Sequence, residues 1–165
     1  MIIFSSVYRG IADHFPIRRS EWIMLLPAFG MWAAFSVTPD VFDKSSSFAR
    51  MAAWADESIW AIILLAVGVL RLAALTVNGT FHQFRFSPHL RALASLVGLV
   101  FWSQWTLAII DAFLREGGSP TGIVAYGTFC ALELANLSTS ATDIGGEIKR
   151  IVSRPSQASE RKNGL

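Results

Sequence analysis

The apolar residues of this chain are gathered into four long blocks, and one of them sets the interpretation of the rest. Residues 58–77 are almost wholly apolar, with the single full charge of Arg71 among them. A helix rises about 1.5 Å per residue, so a block of this length spans the roughly 30 Å hydrocarbon layer of a bilayer. The other blocks cover residues 22–37, 92–114 and 120–137. The pattern predicts an all-α polytopic membrane protein, a bundle of four transmembrane helices.

The blocks divide the chain into three regions. Residues 1–20 place apolar side chains at roughly helical spacing, which favours a cytoplasmic segment forming an interfacial amphipathic helix, or equally an unstructured tail. Residues 21–138 form the predicted transmembrane domain, in which Pro27 predicts a kink. Residues 139–165 form a basic cytoplasmic tail, helical at first and disordered from Pro155 onward.

Composition and the placement of charge support this interpretation and orient the chain. The sequence is 53% hydrophobic and 16% charged, against about 25% charged residues in an ordinary soluble domain. Outside the spans, ten Lys and Arg residues lie in the N-terminal segment, the 78–91 linker and the tail, and three lie in the other two connections. The positive-inside rule therefore predicts an inner-membrane protein with both termini in the cytoplasm, and with residues 39–57 and 115–119 on the other side.

Two charges within the predicted spans are the most informative residues. Arg71 lies six residues from the inner end of its span, and Glu133 lies four residues from the inner end of its own. Charged side chains inside a bilayer face the bundle interior and a partner, and the similar depth allows an ion pair between the two helices. We interpret this pair as structural before functional. The alternatives are a proton or ion path and an Arg71 that snorkels to the headgroups.

Two further groups of residues have candidate roles. In the third block, small and polar residues suit helix packing in lipid or the lining of a membrane lesion. They are Ala94, Gly98, Ser103, Gln104 and Thr106. In the linker before that block, aromatic rings alternate with basic side chains, which suits contact with lipid headgroups. These predicted interfacial residues are Phe84, Arg85, Phe86, His89 and Arg91.

Other chemistry is mostly excluded by where the reactive residues fall. His14, His82 and His89 all lie outside the spans, where they cannot ligate a haem within the bundle, and no Cys or acidic cluster accompanies them for a metal site. Cys130 is the sole cysteine, and we interpret it as a packing residue. The sequence contains no phosphate-binding glycine loop or triad pattern. We therefore expect no enzyme, no cofactor and no nucleic-acid partner, and the sequence identifies no small-molecule substrate.

Three stretches carry a resemblance to a known group of proteins: VLRLAALTVNG, SPHLRALASLVGLVFW and SPTGIVAYGTFCALEL. Within residues 54–137 they resemble small polytopic membrane proteins encoded by tailed bacteriophages, often labelled holin-like. The resemblance implies a protein that accumulates in the inner membrane, forms homo-oligomers and permeabilises the membrane, so that a lytic enzyme reaches the cell wall.

Two other functions remain open at this point. The first is a membrane-embedded interaction or scaffold subunit of a virion, secretion or exclusion assembly, with a partner docked on residues 39–57 or on the tail. The second is a small ion channel that uses Arg71 and Glu133. In every case the expected partners are the lipid bilayer and either further copies of the chain or another membrane protein.

Overall fold

Six α-helices make up the described part of the chain. The computed structural model describes residues 15, 18–38, 40–80 and 86–163, with side chains for all of these except 78–80 and 150–163. The helices are α1 (Arg19–Ile23), α2 (Leu25–Val37), α3 (Ala49–Ala52), α4 (Glu57–Thr80), α5 (Ser87–Glu116) and α6 (Thr121–Asn163), and a 3₁₀ turn at Ser46–Phe48 precedes α3. The described residues form no strand, so the predicted all-α class is confirmed.

Three helical segments are long and apolar enough to cross a membrane. They are Arg19–Val37, Glu57–Val77 and Ser87–Glu116, and they contain the first three predicted blocks. The fourth block, residues 120–137, lies at the start of α6 but is not among these segments of the described chain. Its glutamate and asparagine lower its apolar content, so length and composition alone do not single it out.

The long helices pack in the order in which they follow along the chain. α2 packs on α4, α4 on α5, and α5 most extensively on α6, while the short α1 contacts both α4 and α6. Contacts near both ends of each pair show that α5 runs in the opposite direction to α4 and to α6. We name the two ends of the bundle by their residues. The aromatic end carries residues 40–56 and 117–120, and the charged end carries Arg18, Arg91 and Asp143.

Proline and glycine explain two of the helix boundaries. α1 ends at Ile23 and α2 begins at Leu25. Pro27 follows closely, and its ring clashes with the carbonyl four residues earlier, so the chain breaks where a kink is predicted. α5 ends at Glu116 and is capped by Gly117, which has the left-handed φ of 71° and donates its backbone N–H to the Ala112 carbonyl.

The structure differs from the prediction for the C-terminal tail, and it describes too little of residues 1–20 for a comparison. α6 continues as a helix past Pro155 to Asn163, where disorder was expected. A single proline removes one backbone hydrogen bond, and the Gln, Ala, Glu, Arg and Lys residues that follow it are good helix formers. The amphipathic helix predicted over residues 1–20 lies almost wholly outside the described residues, and α1 begins only at Arg19.

Residues 40–56 fold back over the aromatic end. The backbone N–H of Phe42 donates to Glu57 Oε1 at 2.9 Å, and Trp60 Nε1 donates to the Met51 carbonyl at 3.2 Å. Rings from this segment and from four helices meet there with centroids 4.9 to 6.2 Å apart. We call them the aromatic cluster: Phe35, Phe42, Phe48, Trp60, Phe101, Trp102, Trp105, Tyr126 and Phe129. This connection is therefore part of the core.

The bundle exposes large apolar side chains and buries charged ones. Exposed apolar residues occur on every long helix, among them Leu26, Ile62, Val69, Val100, Leu107 and Val124. Buried charged or amide side chains include Glu21, Arg71, Arg91, Glu133 and Asn136. Soluble domains rarely bury charge, and they rarely expose large contiguous apolar patches. The distribution suits a bundle surrounded by lipid.

Candidate functional site

Four polar residues of α6 lie on one face of the helix. Glu133, Asn136, Ser140 and Asp143 follow at spacings of three, four and three residues, which aligns their side chains along a single helical stripe. The first three are buried, and the Asp143 side chain is 34% exposed at the charged end. We call these four residues the polar stripe. They run from the middle of the bundle to its charged end.

The deep end of the polar stripe pairs with α4 across the backbone of α5. Arg71 Nη2 donates to Glu133 Oε2, and it also donates to the Ala94 carbonyl at 3.4 Å. Arg71 is 3% exposed and Glu133 0%. The pair crosses α5 at Gly98, where an added Cβ would overlap Glu133 Oε1 and lie 3.1 Å from Arg71 Nη2. Glycine at this position therefore gives the ion pair its space.

A second set of ion pairs ties three helices together at the charged end. We call Arg18, Glu21, Arg91 and Asp143 the charged cluster. Arg91 Nε donates to Glu21 Oε2 at 2.9 Å, and Arg91 Nη1 donates to Asp143 Oδ2 at 2.8 Å. Arg18 Nη2 donates to the same Asp143 oxygen at 2.6 Å. The planar guanidinium of Arg91 thus bridges carboxylates on α1 and α6, a geometry that an ammonium group does not reproduce.

The charges of these two sets cancel. Three arginines face three carboxylates: Arg18, Arg71 and Arg91 with Glu21, Glu133 and Asp143. An uncompensated buried charge costs several kcal/mol, roughly 3–5 when one partner of a buried pair is removed. The balance explains how the bundle accommodates six charged side chains, and it leaves no net charge to attract an ion.

Asp143 has a titration behaviour set by this cluster. Partial burial raises the pKa of its carboxyl, but the hydrogen bond from Arg91 and the charge and hydrogen bond of Arg18 outweigh burial and hold that pKa below its usual range. Asp143 is therefore ionised near neutral pH. Its negative charge is part of what holds α1 and α5 against α6.

Between the two charged sets lie further buried polar side chains, and most of them bond to one another. Ser20 Oγ donates to Asn136 Oδ1 at 2.6 Å, and Ser140 Oγ donates to the Asn136 carbonyl at 3.0 Å. The Asn136 side chain also hydrogen-bonds to the Glu133 carboxylate, while nothing among the described residues bonds to Ser95 Oγ. Ser95, Asn136 and Glu133 are all buried.

The five predicted residues of the third block divide by face. Ala94 and Gly98 face inward. The Ala94 carbonyl accepts a hydrogen bond from Arg71, and Gly98 leaves space for the Arg71–Glu133 pair. The hydroxyls of Ser103 and Thr106 each lie 3.6 Å from Cys130 Sγ on α6, so these two residues pack between helices. Gln104 alone of the five is exposed.

The predicted headgroup contacts need one correction. Phe86 and His89 are exposed near the start of α5, with ring centroids 6.0 Å apart. Arg91 is only 1% exposed and belongs to the charged cluster, so it is not an interfacial lipid contact. A charged group this deep needs partners, and Glu21 and Asp143 supply them. Phe84 and Arg85 lie outside the described residues.

Sequence reasoning missed much of the polar interior. Arg18, Glu21, Asn136, Ser140 and Asp143 were assigned no role, although all five contact one another or Arg91. One signal for three of them is present in the sequence: the three-four-three spacing that begins at Glu133. The roles of Arg18 and Glu21 depend on where α1 docks, which no spacing reveals.

The opposite side of α6 carries a second regular pattern. Its exposed residues are mostly small, and six of them recur at alternating spacings of four and three residues. We call these six residues the small face: Val124, Thr128, Ala131, Ala135, Ser138 and Thr142. The hydroxyls of Thr128 and Thr142 donate to carbonyls four residues earlier, at 2.8 and 3.0 Å. The polarity of these two hydroxyls is thereby satisfied within the helix, and the small face consists of short side chains.

The described residues offer no candidate metal site, and the groove at the aromatic end lacks reactive groups. Among the described residues, His, Cys, Asp and Glu form no group of three that could hold a metal ion. A groove of about 240 Å³ at the aromatic end is lined by serine and threonine hydroxyls with aromatic and aliphatic side chains. Its lining residues are Ser45, Ser47, Phe48, Ile109, Ser119, Thr121, Gly122 and Tyr126. This lining contains no carboxylate, imidazole, thiol or amine to act as a general acid, base or nucleophile.

Comparisons with known proteins do not place the chain in a family. No family model matches it, and no curated protein or solved structure matches it either.

Proposed function

We propose that this chain is a multi-pass protein of the cytoplasmic membrane that self-associates through the small face of α6 and permeabilises the membrane as holins do. The small face is the observation that carries the proposal. In lipid, small residues let helix backbones approach closely, and such stripes mark helix–helix interfaces. An exposed stripe of this kind, regular over residues 124–142, suits contact with the same stripe of a second copy.

The distribution of polar groups supports the membrane part of the proposal. Large apolar side chains face outward on every long helix, while the charged groups within the bundle are buried and paired. In this arrangement the first part of α6 is the fourth span, and both termini lie in the cytoplasm with the charged end. The fourth span holds only Glu133 as a full charge, and Arg71 neutralises it.

The closed interior favours a permeation path between copies over one through a single copy. The polar stripe begins at the charged end and stops at Glu133. Beyond it, toward the aromatic end, Trp102 and Trp105 are fully buried among the rings of the aromatic cluster. A single bundle therefore provides no continuous polar path for an ion. The channel alternative has less support than self-association of several copies.

A non-enzymatic scaffold subunit is the second candidate. Residues 40–56 pack against the bundle, and the buried ion pairs join its helices without leaving a net charge. Such a stabilised bundle suits a structural part of a larger assembly. In that case the small face binds another membrane protein.

Membrane potential, followed with a voltage-sensitive dye during expression in a bacterium, tests the proposal. The wild-type chain is expected to cause an abrupt loss of potential. Ala135→Leu, which places a large side chain on the small face, is expected to delay or abolish that loss. Ala73→Leu, at an exposed position of α4, is the matched control and is expected to behave as the wild type. Normal potential with good membrane expression of the wild type contradicts the holin-like function and favours the scaffold.

A further inference from the structure

α6 continues well beyond the charged end of the bundle. Asp143 bonds there to Arg91, and α5, the main neighbour of α6, begins at Ser87, about one turn past Arg91. α6 runs on to Asn163, roughly 30 Å further at about 1.5 Å per residue. We call residues 144–163 the α6 extension. Most of its length lies past the start of α5, so the described helices of the bundle leave most of it uncovered.

The α6 extension has an amphipathic sequence. Six apolar residues recur in it at spacings of four, three, one, three and three, which places their positions on one side of a helix. We call them the apolar side: Ile144, Ile148, Ile151, Val152, Pro155 and Ala158. Ile148 is 56% exposed. Apolar surface left in water is unfavourable, so a partner that covers the apolar side is expected.

The charge of the extension selects this partner. The extension holds five Lys and Arg residues against two Glu, a net charge of +3. Basic amphipathic helices lie on membrane surfaces, with their apolar face at the acyl boundary and their cations beside anionic headgroups. A second copy of the extension carries the same positive charge and repels the first. Residues 1–17 hold one Arg and one Asp, so they offer no net negative charge. An anionic lipid surface complements both the apolar side and the basic residues.

Two adjacent glycines join the extension to the bundle. Gly145 and Gly146 follow closely on Asp143, which Arg18 and Arg91 hold in place. A Cβ at either glycine would meet nothing within 4 Å, so close packing does not require glycine there. Glycine weakens a helix relative to alanine, and helices kink at such pairs. A bend at these residues lays the extension against the bilayer surface, whereas a straight α6 holds it away from lipid.

We propose that the α6 extension bends at Gly145 and Gly146 and binds the anionic lipid surface of the cytoplasmic leaflet. The apolar side contacts the acyl boundary, and the basic residues contact lipid phosphates. The positive-inside bias places the extension on that side of the membrane. This inference rests on the membrane-spanning arrangement of the proposed function, but it does not depend on permeabilisation.

Fluorescence quenching by doxyl-labelled lipids, measured on the full chain, tests this proposal. In a Cys130→Ser background, Ala158→Cys carries an environment-sensitive fluorophore, and the protein is reconstituted in phosphatidylcholine vesicles with or without phosphatidylglycerol. In a straight α6, residue 158 lies about 22 Å past Asp143, out of reach of the bilayer. The expected result is several-fold stronger quenching in the vesicles that contain phosphatidylglycerol. Gln157→Cys, on the opposite side of the helix, is the matched control and is expected to be quenched much less.

Glycine variants test the bend. Gly145→Ala combined with Gly146→Ala is expected to abolish the quenching at position 158. Gly127→Ala, at a glycine of α6 with equally open space around its Cβ, is expected to retain it. Quenching that is weak with phosphatidylglycerol, that is equal without it, or that survives the two alanines overturns the proposal. Shielding from aqueous iodide without lipid quenching shows that residues 1–17 or a second copy cover the apolar side, and it overturns the proposal too.

Failure of this inference can be told apart from failure of the proposed function. Protein that alkaline carbonate extracts from the vesicles contradicts the membrane-spanning arrangement and this inference together. Quenching that depends on phosphatidylglycerol supports the inference even where expression leaves the membrane potential intact, a result that contradicts permeabilisation alone.

Discussion

Breaking the Arg71–Glu133 pair on one side is expected to cost far more than removing the whole pair. Glu133→Leu leaves the Arg71 guanidinium buried at 3% exposure, with the Ala94 carbonyl as its remaining partner. The loss from a half-broken buried pair is about 3–5 kcal/mol, which is roughly two to four decades in the unfolding equilibrium constant. Arg71→Leu leaves the carboxylate stranded, with a similar expected loss. The double variant leaves no charge, and it is expected to be near neutral or more stable than either single variant.

The measurement is reversible unfolding in mixed micelles with increasing SDS, followed by fluorescence of the six tryptophans. The matched control is Arg115→Leu, which removes an exposed pair with Asp111 whose arginine side chain is 76% exposed. Exposed pairs contribute about 0–1 kcal/mol, so this variant is expected to change little. A coupled buried ion pair is refuted if Glu133→Leu costs no more than Arg115→Leu, or if the losses of the two single variants simply add in the double variant.

Three further predictions concern other parts of the bundle. Gly98→Ala is expected to destabilise by about 1–3 kcal/mol or more, because its Cβ displaces the ion pair; Gly30→Ala, with open space around its Cβ, is expected to be neutral or slightly stabilising in the same assay. Because the folded-state pKa of Asp143 is lowered, its contribution to stability is present above about pH 4, the unfolded value. That contribution is lost as pH falls through the lower folded value, so Asp143→Asn is expected to flatten the acid limb of a thermal-stability profile; an unchanged limb contradicts this. Phe42→Ala is expected to cost about 3–5 kcal/mol and to make residues 40–56 sensitive to protease, whereas exposed Trp54→Ala leaves both unchanged; equal protection in the two variants argues against a folded-back segment.

Hydropathy located the helices well because it depends on local composition. The block predicted at 58–77 lies within Glu57–Thr80, and the block at 92–114 lies within Ser87–Glu116. The meeting of Arg71 with Glu133 also followed from simple depth, because both charges occupy the same half of helices that run the same way. Helix position and the depth of a charge along a helix can both be calculated from the local sequence alone.

Hydropathy does not predict which way a side chain faces around its helix axis. Arg91 lies just before the third block, where hydropathy assigns a charge to the headgroups, yet its position on the helix directs it toward Glu21 and Asp143. Likewise, residues 40–56 contain enough Ser, Asp and Lys to resemble an open loop, and only three-dimensional packing reveals that Phe42 and Met51 anchor it.

Cysteine cross-linking along α6 in native membranes tests the central claim most directly, because it reports which face meets a second copy. In a Cys130→Ser background, single cysteines are introduced at each position from 124 to 142. Cross-linked dimers are expected to peak at the small face, at positions 124, 128, 131, 135, 138 and 142. Positions 136 and 140, which face the bundle interior, are predicted to remain monomeric. A profile without this periodicity, or no dimer at any position, contradicts self-association through the small face.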